Sequence, residues 1–88
     1  MKTFTIEILN PEKAFLKDEI TSLIIPAFKG SMGILPGHIK MIVQLVPGRL
    51  QVKKEESVRN YFIRGGVAEI NPDKVILLCE KIEPGGVQ

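Results

Sequence analysis

Apolar and polar side chains alternate along most of this chain with the period of a β-strand, in which successive residues point to opposite faces. Phe4, Ile6 and Ile8 alternate with Thr3, Thr5 and Glu7, which predicts a half-buried strand over residues 3–9. Asn10-Pro11 closes it, because proline cannot donate to a ladder and asparagine suits a turn. Residues 12–19 fit two readings. In one, Asn10 caps a short helix with Pro11 at its first position. In the other, a short strand through Ala14-Phe15-Leu16 meets a polar turn at Lys17-Asp18-Glu19. A helix under about ten residues is marginal alone, which favours the second. A strand then runs from Ile20 to Ile25 and stops at Pro26.

Ile39 to Val46 is apolar and partly β-branched, so another strand is expected before the Pro47-Gly48 turn. Leu50 and Val52 alternate with Arg49, Gln51 and Lys53; Lys54-Glu55-Glu56-Ser57 makes a charged hairpin tip, and Val58 to Arg64 returns. Gly65-Gly66 reads as a bulge. Val67 to Ile70 leads to a turn at Asn71-Pro72-Asp73, and Val75 to Glu80 is the last clear strand. Residues 1–83 make one domain, and 84–88 read as a frayed tail or the start of a further segment. Turn signals every 8–12 residues or so between short strands predict an antiparallel sandwich or barrel.

Three stretches break the alternation: Leu23-Ile24-Ile25, Met41-Ile42-Val43 and Val75-Ile76-Leu77-Leu78-Cys79. Apolar side chains there fall on both faces of a strand. Either a long loop covers them, or another chain or a further segment does; three such strands in one small domain favour a covering chain or segment.

Between the strands lies Gly30-Ser31-Met32-Gly33-Ile34-Leu35-Pro36-Gly37-His38, which holds three glycines, one proline and the only histidine. Glycine admits positive φ and proline fixes φ near −65°, so the stretch reads as a surface loop held in one shape for something to dock on. On the same reasoning a valine at Gly33 would misshape it.

Length and charge narrow the function. Eighty-eight residues make a single domain with a modest core. The net charge of +2, from 12 basic and 10 acidic side chains, is too small to argue for nucleic acid or an acidic membrane surface. No apolar run approaches the ~18–20 residues of a membrane-spanning helix, and Met1–Thr5 has no apolar core of a signal peptide. One cysteine excludes an intrachain disulfide and fits a reducing compartment. Catalysis needs converging groups, and His38 with Cys79 is the sole nucleophile–base candidate. Cys79 sits in an apolar strand, where a cysteine behaves as a small hydrophobe. One His and one Cys are too few for a zinc site. Gly30-Ser31-Met32-Gly33 lacks the Gly-Lys-Ser/Thr of a phosphate-binding loop, and it matches the Gly-x-x-Gly of a KH domain without that fold's helices. Tyr61-Phe62-Ile63-Arg64 is the one basic–aromatic strand segment that suits an oligonucleotide, and it reads better as a core strand. No catalytic, cofactor or metal site is assigned.

The nine residues from Gly30 to His38 resemble the Gly-Glu-Leu-Gly-Ile-Leu-Pro-Gly-His motif of the epsilon subunits of F-type ATP synthases. Leu45-Val46-Pro47-Gly48-Arg49-Leu50 is similar to that family's Leu-x-Pro-Gly turn, Tyr61 to Ile70 to its Gly-Gly strand, and Val75-Ile76-Leu77-Leu78 to the strand after it. The resemblance spans nearly the whole chain in order. It implies a flattened antiparallel β-sandwich of about ten short strands at the foot of a rotor's central stalk. It also implies a non-catalytic role: coupling proton or sodium flow to ATP synthesis on the cytoplasmic face of a bacterial inner membrane or its equivalent. Carried over by motif, Gly30, Ser31, Met32 and Gly33 face the membrane-embedded c-ring, and His38, Ile39, Met41, Ile42 and Val43 face the gamma subunit. The membrane is reached only through the ring. Three departures stand out. Ser31 replaces an acidic residue, Ile39-Lys40-Met41 replaces Ala-Pro-Leu, and Gln88 ends the chain where relatives continue into a C-terminal helical hairpin. Inhibition of hydrolysis and nucleotide binding, which belong to that hairpin, are therefore not expected of residues 1–88. The other class in play is a free-standing sandwich that binds a small ligand or an oligonucleotide.

Overall fold

A computed structural model describes residues 2–12 and 14–85. Ten strands follow one another: β1 (Phe4–Leu9), β2 (Ala14–Ile20), β3 (Ser22–Ala27), β4 (Gly30–Ile34), β5 (Met41–Leu45), β6 (Gly48–Lys54), β7 (Ser57–Ile63), β8 (Gly66–Asn71), β9 (Lys74–Cys79) and β10 (Ile82–Pro84). They form one hydrogen-bonded sheet folded into two layers. One layer runs β4-β3-β6-β7-β10 and the other β5-β8-β9-β1-β2. A single pair, Ala27 with Leu45, bridges β3 to β5. The flattened sandwich expected from the sequence is therefore present, with one exception to its antiparallel pairing. β1 lies parallel to β9, Ile6 opposite Val75 and Ile8 opposite Leu77.

The alternating residues fill the space between the layers. Phe4, Ile6 and Ile8 from β1, Val75 and Leu77 from β9, Ile70 from β8, and Leu23, Ile25, Leu50 and Ile63 from the facing layer are all fully buried. Core substitutions of such side chains to alanine cost about 2–5 kcal/mol.

The polar residues Lys17-Asp18-Glu19 do not turn the chain; β2 continues through them to Ile20. Two of them have partners that favour the extended form. Glu19 lies opposite Thr5 and accepts hydrogen bonds from the Thr3 and Thr5 hydroxyls. Lys17 lies opposite Glu7. Asp18 alternates onto the same face as Leu16 and Ile20, yet it sits at the sandwich margin and meets Lys54 of β6 at 2.9 Å. The corner falls instead at Thr21, whose N–H and hydroxyl both donate to the Lys53 carbonyl at 2.9 and 3.0 Å.

β3 runs past Pro26 to Ala27. Proline is tolerated because its carbonyl accepts from the Val46 N–H at 2.9 Å, and it needs no donor towards β4. At the far end, Pro84 pairs with Tyr61 in β10 and the Gly85 N–H donates to the Asn60 carbonyl at 2.8 Å. The ordered pairing thus extends past residue 83; residues 86–88 of the expected tail lie outside the described residues.

Candidate protein-contact edge

The margin of the sandwich where β4 ends one layer and β5 ends the other carries the residues singled out by sequence. The two-residue tip Phe28-Lys29 turns β3 into β4, and Gly30 takes φ 123° to start the return. Most of the expected loop is thus a strand: Gly30 to Ile34 pair residue by residue with Ala27 to Leu23. Only residues 35–40 form a loop. Two contacts fix it. Gly37, at φ 84°, donates its N–H to the Pro72 carbonyl at 3.0 Å. His38 turns its ring inward, Nδ1 against the Leu35 carbonyl and the ring edge-on to Phe4 at 5.6 Å. Facing a carbonyl, Nδ1 is the donor in that bond, and Nε2 is buried without a partner.

Gly33 corrects the reading of this stretch. It lies in ordinary strand conformation, not at positive φ, and a Cβ built on it would meet nothing within 4 Å. Its smallness answers no need of the fold; it leaves the outer side of β4 bare beside Ile24. Ser31 and Gly30 are exposed with it, whereas Met32 packs against the core.

The side chains expected to face a partner divide by strand period. Met41 and Val43 point inward and pack on the core, while Ile42 is 76% exposed. Ile39 is 71% exposed, Phe28 74% and Leu35 64%. No other large apolar side chain among the described residues exceeds 51%. So the four most exposed large hydrophobes all fall within residues 28–42. Phe28 and Leu35 flank the two ends of β4, and Ile39 and Ile42 stand at the start of β5, so the four line one margin. Lys29 and Lys40 border the β4 and loop side of this margin, and Glu69 lies opposite Ile42 on β8.

The patch continues onto the outer face of the second layer, which sequence reasoning marked only in part. Register places Gln44, Val67, Leu78 and Leu9 side by side across β5, β8, β9 and β1. Ile42 lies one step along, opposite Glu69. Leu78 belonged to a flagged non-alternating stretch. Val67 and Leu9 did not, although Leu9 follows the apolar Ile8 and Val67 precedes the apolar Ala68, and register sets both beside Leu78. Phe28 was missed because a hairpin tip has no period to break.

Burial pushes the Cys79 thiol up to about 11, which keeps it protonated and unreactive. Among the described residues no three His, Cys, Asp or Glu side chains gather to hold a metal ion, and no helix is long and apolar enough to cross a membrane. In the Tyr61-to-Arg64 segment, Tyr61 and Ile63 are buried and Phe62 alone offers a partly exposed ring.

Fold and margin together define a small all-β domain whose most exposed apolar side chains lie along one margin. The chain belongs to the ATP synthase delta/epsilon chain β-sandwich domain family, whose sequence profile matches residues 3–85. It is 40% identical over 80 residues to the ATP synthase epsilon chain of Pelagibacter ubique, covering 90% of this chain and 62% of that one. It is 35% identical over 83 residues to that of Caldicellulosiruptor saccharolyticus, covering 94% and 61%. The chain thus spans about three-fifths of the length of these curated relatives. Among solved structures, a chain of the Euglena gracilis mitochondrial ATP synthase (OSCP/F1/c-ring) superposes with a TM-score of 0.89 at 28% identity, over 93% of this chain and 53% of that one. A chain of the Tetrahymena thermophila mitochondrial ATP synthase central stalk and c-ring superposes at 0.80 with 13% identity, a likeness of fold alone.

Proposed function

We propose that this chain is the β-sandwich part of an epsilon subunit in the central stalk of an F-type ATP synthase. In this reading it makes no bond itself. It joins the gamma subunit to the c-ring so that ion flow, of protons or sodium, is coupled to ATP synthesis on the cytoplasmic face of an energy-coupling membrane. The β4 strand, with Gly30, Ser31 and Gly33 exposed and Met32 bracing it from the core side, meets the polar loops of the ring. The β5 side, with Ile39, Ile42 and the Val67–Leu78 stripe, meets gamma. Met41 and Val43 support that surface from beneath, and His38 holds the loop in shape.

The observation that carries this reading is the gathering of the four most exposed large apolar side chains within residues 28–42, on a margin the fold leaves uncovered. A stalk subunit gripped on two sides has reason to keep such a margin; a ligand-binding sandwich would enclose its apolar groups in a cleft. The test is co-purification with a gamma subunit and c-ring. A stable complex in which Ile39 and Ile42 become protected supports the assignment. A chain that ignores both partners and retains a nucleic acid or metabolite overturns it in favour of the free-standing module.

A further inference from the structure

Sheet margins expose unpaired N–H and C=O groups, and natural proteins blunt them with charges, proline or irregularity. Two margins of this sandwich are blunted in that way. β2 carries the inward-pointing Asp18, the exposed Lys17 and a register shift beside Leu9. β10 is three residues long and ends on Glu83-Pro84. β5 is closed at its end by the Ala27 pairing and the Val46–Pro26 bond. β4 has none of these devices. Its five residues, Gly30-Ser31-Met32-Gly33-Ile34, hold no charge, no proline and no register shift.

The direction of its free backbone groups follows from the pairing. Pro26 sends its carbonyl to Val46, away from β4, so Pro26 and Ser31 are a non-bonded pair. In an antiparallel ladder bonded and non-bonded pairs alternate. Ser31 and Gly33 therefore turn their N–H and C=O groups outward, and Met32 between them turns its own to β3.

We propose that β4 pairs antiparallel with β4 of a second copy of this chain, about a two-fold axis at Met32, when the chain is free of its stalk partners. That register is self-complementary. Ser31 bonds Gly33 of the second copy and Gly33 bonds its Ser31, the only residues whose backbone groups point outward. The side chains opposite each other on the outer face are then a hydroxymethyl and a hydrogen, and a Cβ on Gly33 meets nothing of its own chain, so the strands approach freely. The two Met32 side chains meet on the core side. Extending the register past the strand ends sets Phe28 beside Leu35 and Pro36 of the second copy, twice by symmetry. This covers two of the four most exposed apolar side chains. Lys29 falls opposite Leu35, so no like charges meet. The inference concerns the isolated chain and does not depend on the stalk assignment, although it uses the same margin: self-pairing would shield β4 until a partner displaces the second copy.

The test is sedimentation equilibrium of the purified chain from about 1 µM to about 1 mM, the range in which so short an interface associates. A concentration-dependent monomer–dimer equilibrium is expected. The double variant Ser31→Lys with Gly33→Lys places lysine opposite lysine at both bonded pairs and should weaken the dimer about tenfold or more. So should Ser31→Glu with Gly33→Glu. Mixed in equal amounts, the two variants should form a heterodimer, and that rescue also shows that both remain folded. A wild-type chain monomeric throughout the range overturns the proposal. So does a lysine variant that dimerises as well as the wild type, or a mixture of the two variants that stays monomeric.

Discussion

Gly66 is the residue with least freedom to change. At φ 140° it lies where a side chain would bring its Cβ to 1.9 Å from the Leu78 carbonyl oxygen. Gly33, in the resembling motif, has ordinary strand geometry and open space above it. The two glycines therefore serve different ends, one the fold and the other the surface. Gly66→Ala should destabilise the chain by about 3–5 kcal/mol, the range of changes that force a backbone shift. Gly33→Val should stay within about 0.5 kcal/mol of the wild type, since valine suits an exposed strand. Thermal unfolding of the two variants checks both, and equal losses would return Gly33 to a structural role. The sequence pointed to Gly33 for a wrong reason. Glycine density suggested positive φ, which Gly30 and Gly37 adopt and Gly33 does not. His38 was legible as a loop-fixing residue because a histidine beside a Pro-Gly turn has carbonyls in reach. Its packing against Phe4 was not legible, because β1 enters the same corner from thirty-four positions away in sequence.

At the scale of elements, period-two alternation located the strands well wherever one face is solvent. It failed where polar residues continue a strand. Lys17-Asp18-Glu19 carries every mark of a turn, yet Thr5 and Lys54 supply partners that hold it extended. Those partners lie on other strands and cannot be read locally. The Lys54 ammonium beside Asp18, with the Glu19 N–H, holds that carboxyl below its usual value of 3.8. A carboxylate depressed on folding contributes stability present above its unfolded value and lost as pH falls through the folded one. The tie should therefore be intact at neutral pH and weaken only as the pH falls below the usual carboxylate value of 3.8. Asp18→Asn should lower the melting temperature slightly at pH 7, and the gap should narrow progressively on acidification below that value. Because the pair is largely solvated the effect is small. A gap that widens in acid would show that Asp18 acts in some other way.

For the whole molecule, the sandwich and its family were legible because the motif, the Pro-Gly turn and the Gly-Gly strand stand in order along one short chain. The two-layer closure was not. The parallel β1–β9 pair and the single Ala27–Leu45 bridge join residues that nothing in the sequence links. The apolar excess in Met41-Ile42-Val43 was visible, but assigning it to a surface needed the strand's orientation, which gives Ile42 to solvent and its neighbours to the core. The core is filled by the alternating side chains, the four most exposed apolar side chains lie along one margin, and the Val67–Leu78 stripe adjoins it.

The proposal turns on the β5 side of this margin, with the adjoining Val67–Leu78 stripe, as the surface that meets the gamma subunit. The most direct measurement is the affinity of gamma for three variants: Ile39→Asp, Ile42→Asp, and Val58→Asp on the β6–β7 hairpin, where the valine is also about half exposed. The first two should each weaken binding by about tenfold to a hundredfold, as loss of an interface anchor does, and Val58→Asp should change it less than about twofold. Undiminished binding by Ile42→Asp, or a loss for Val58→Asp as large as the others, would contradict the account.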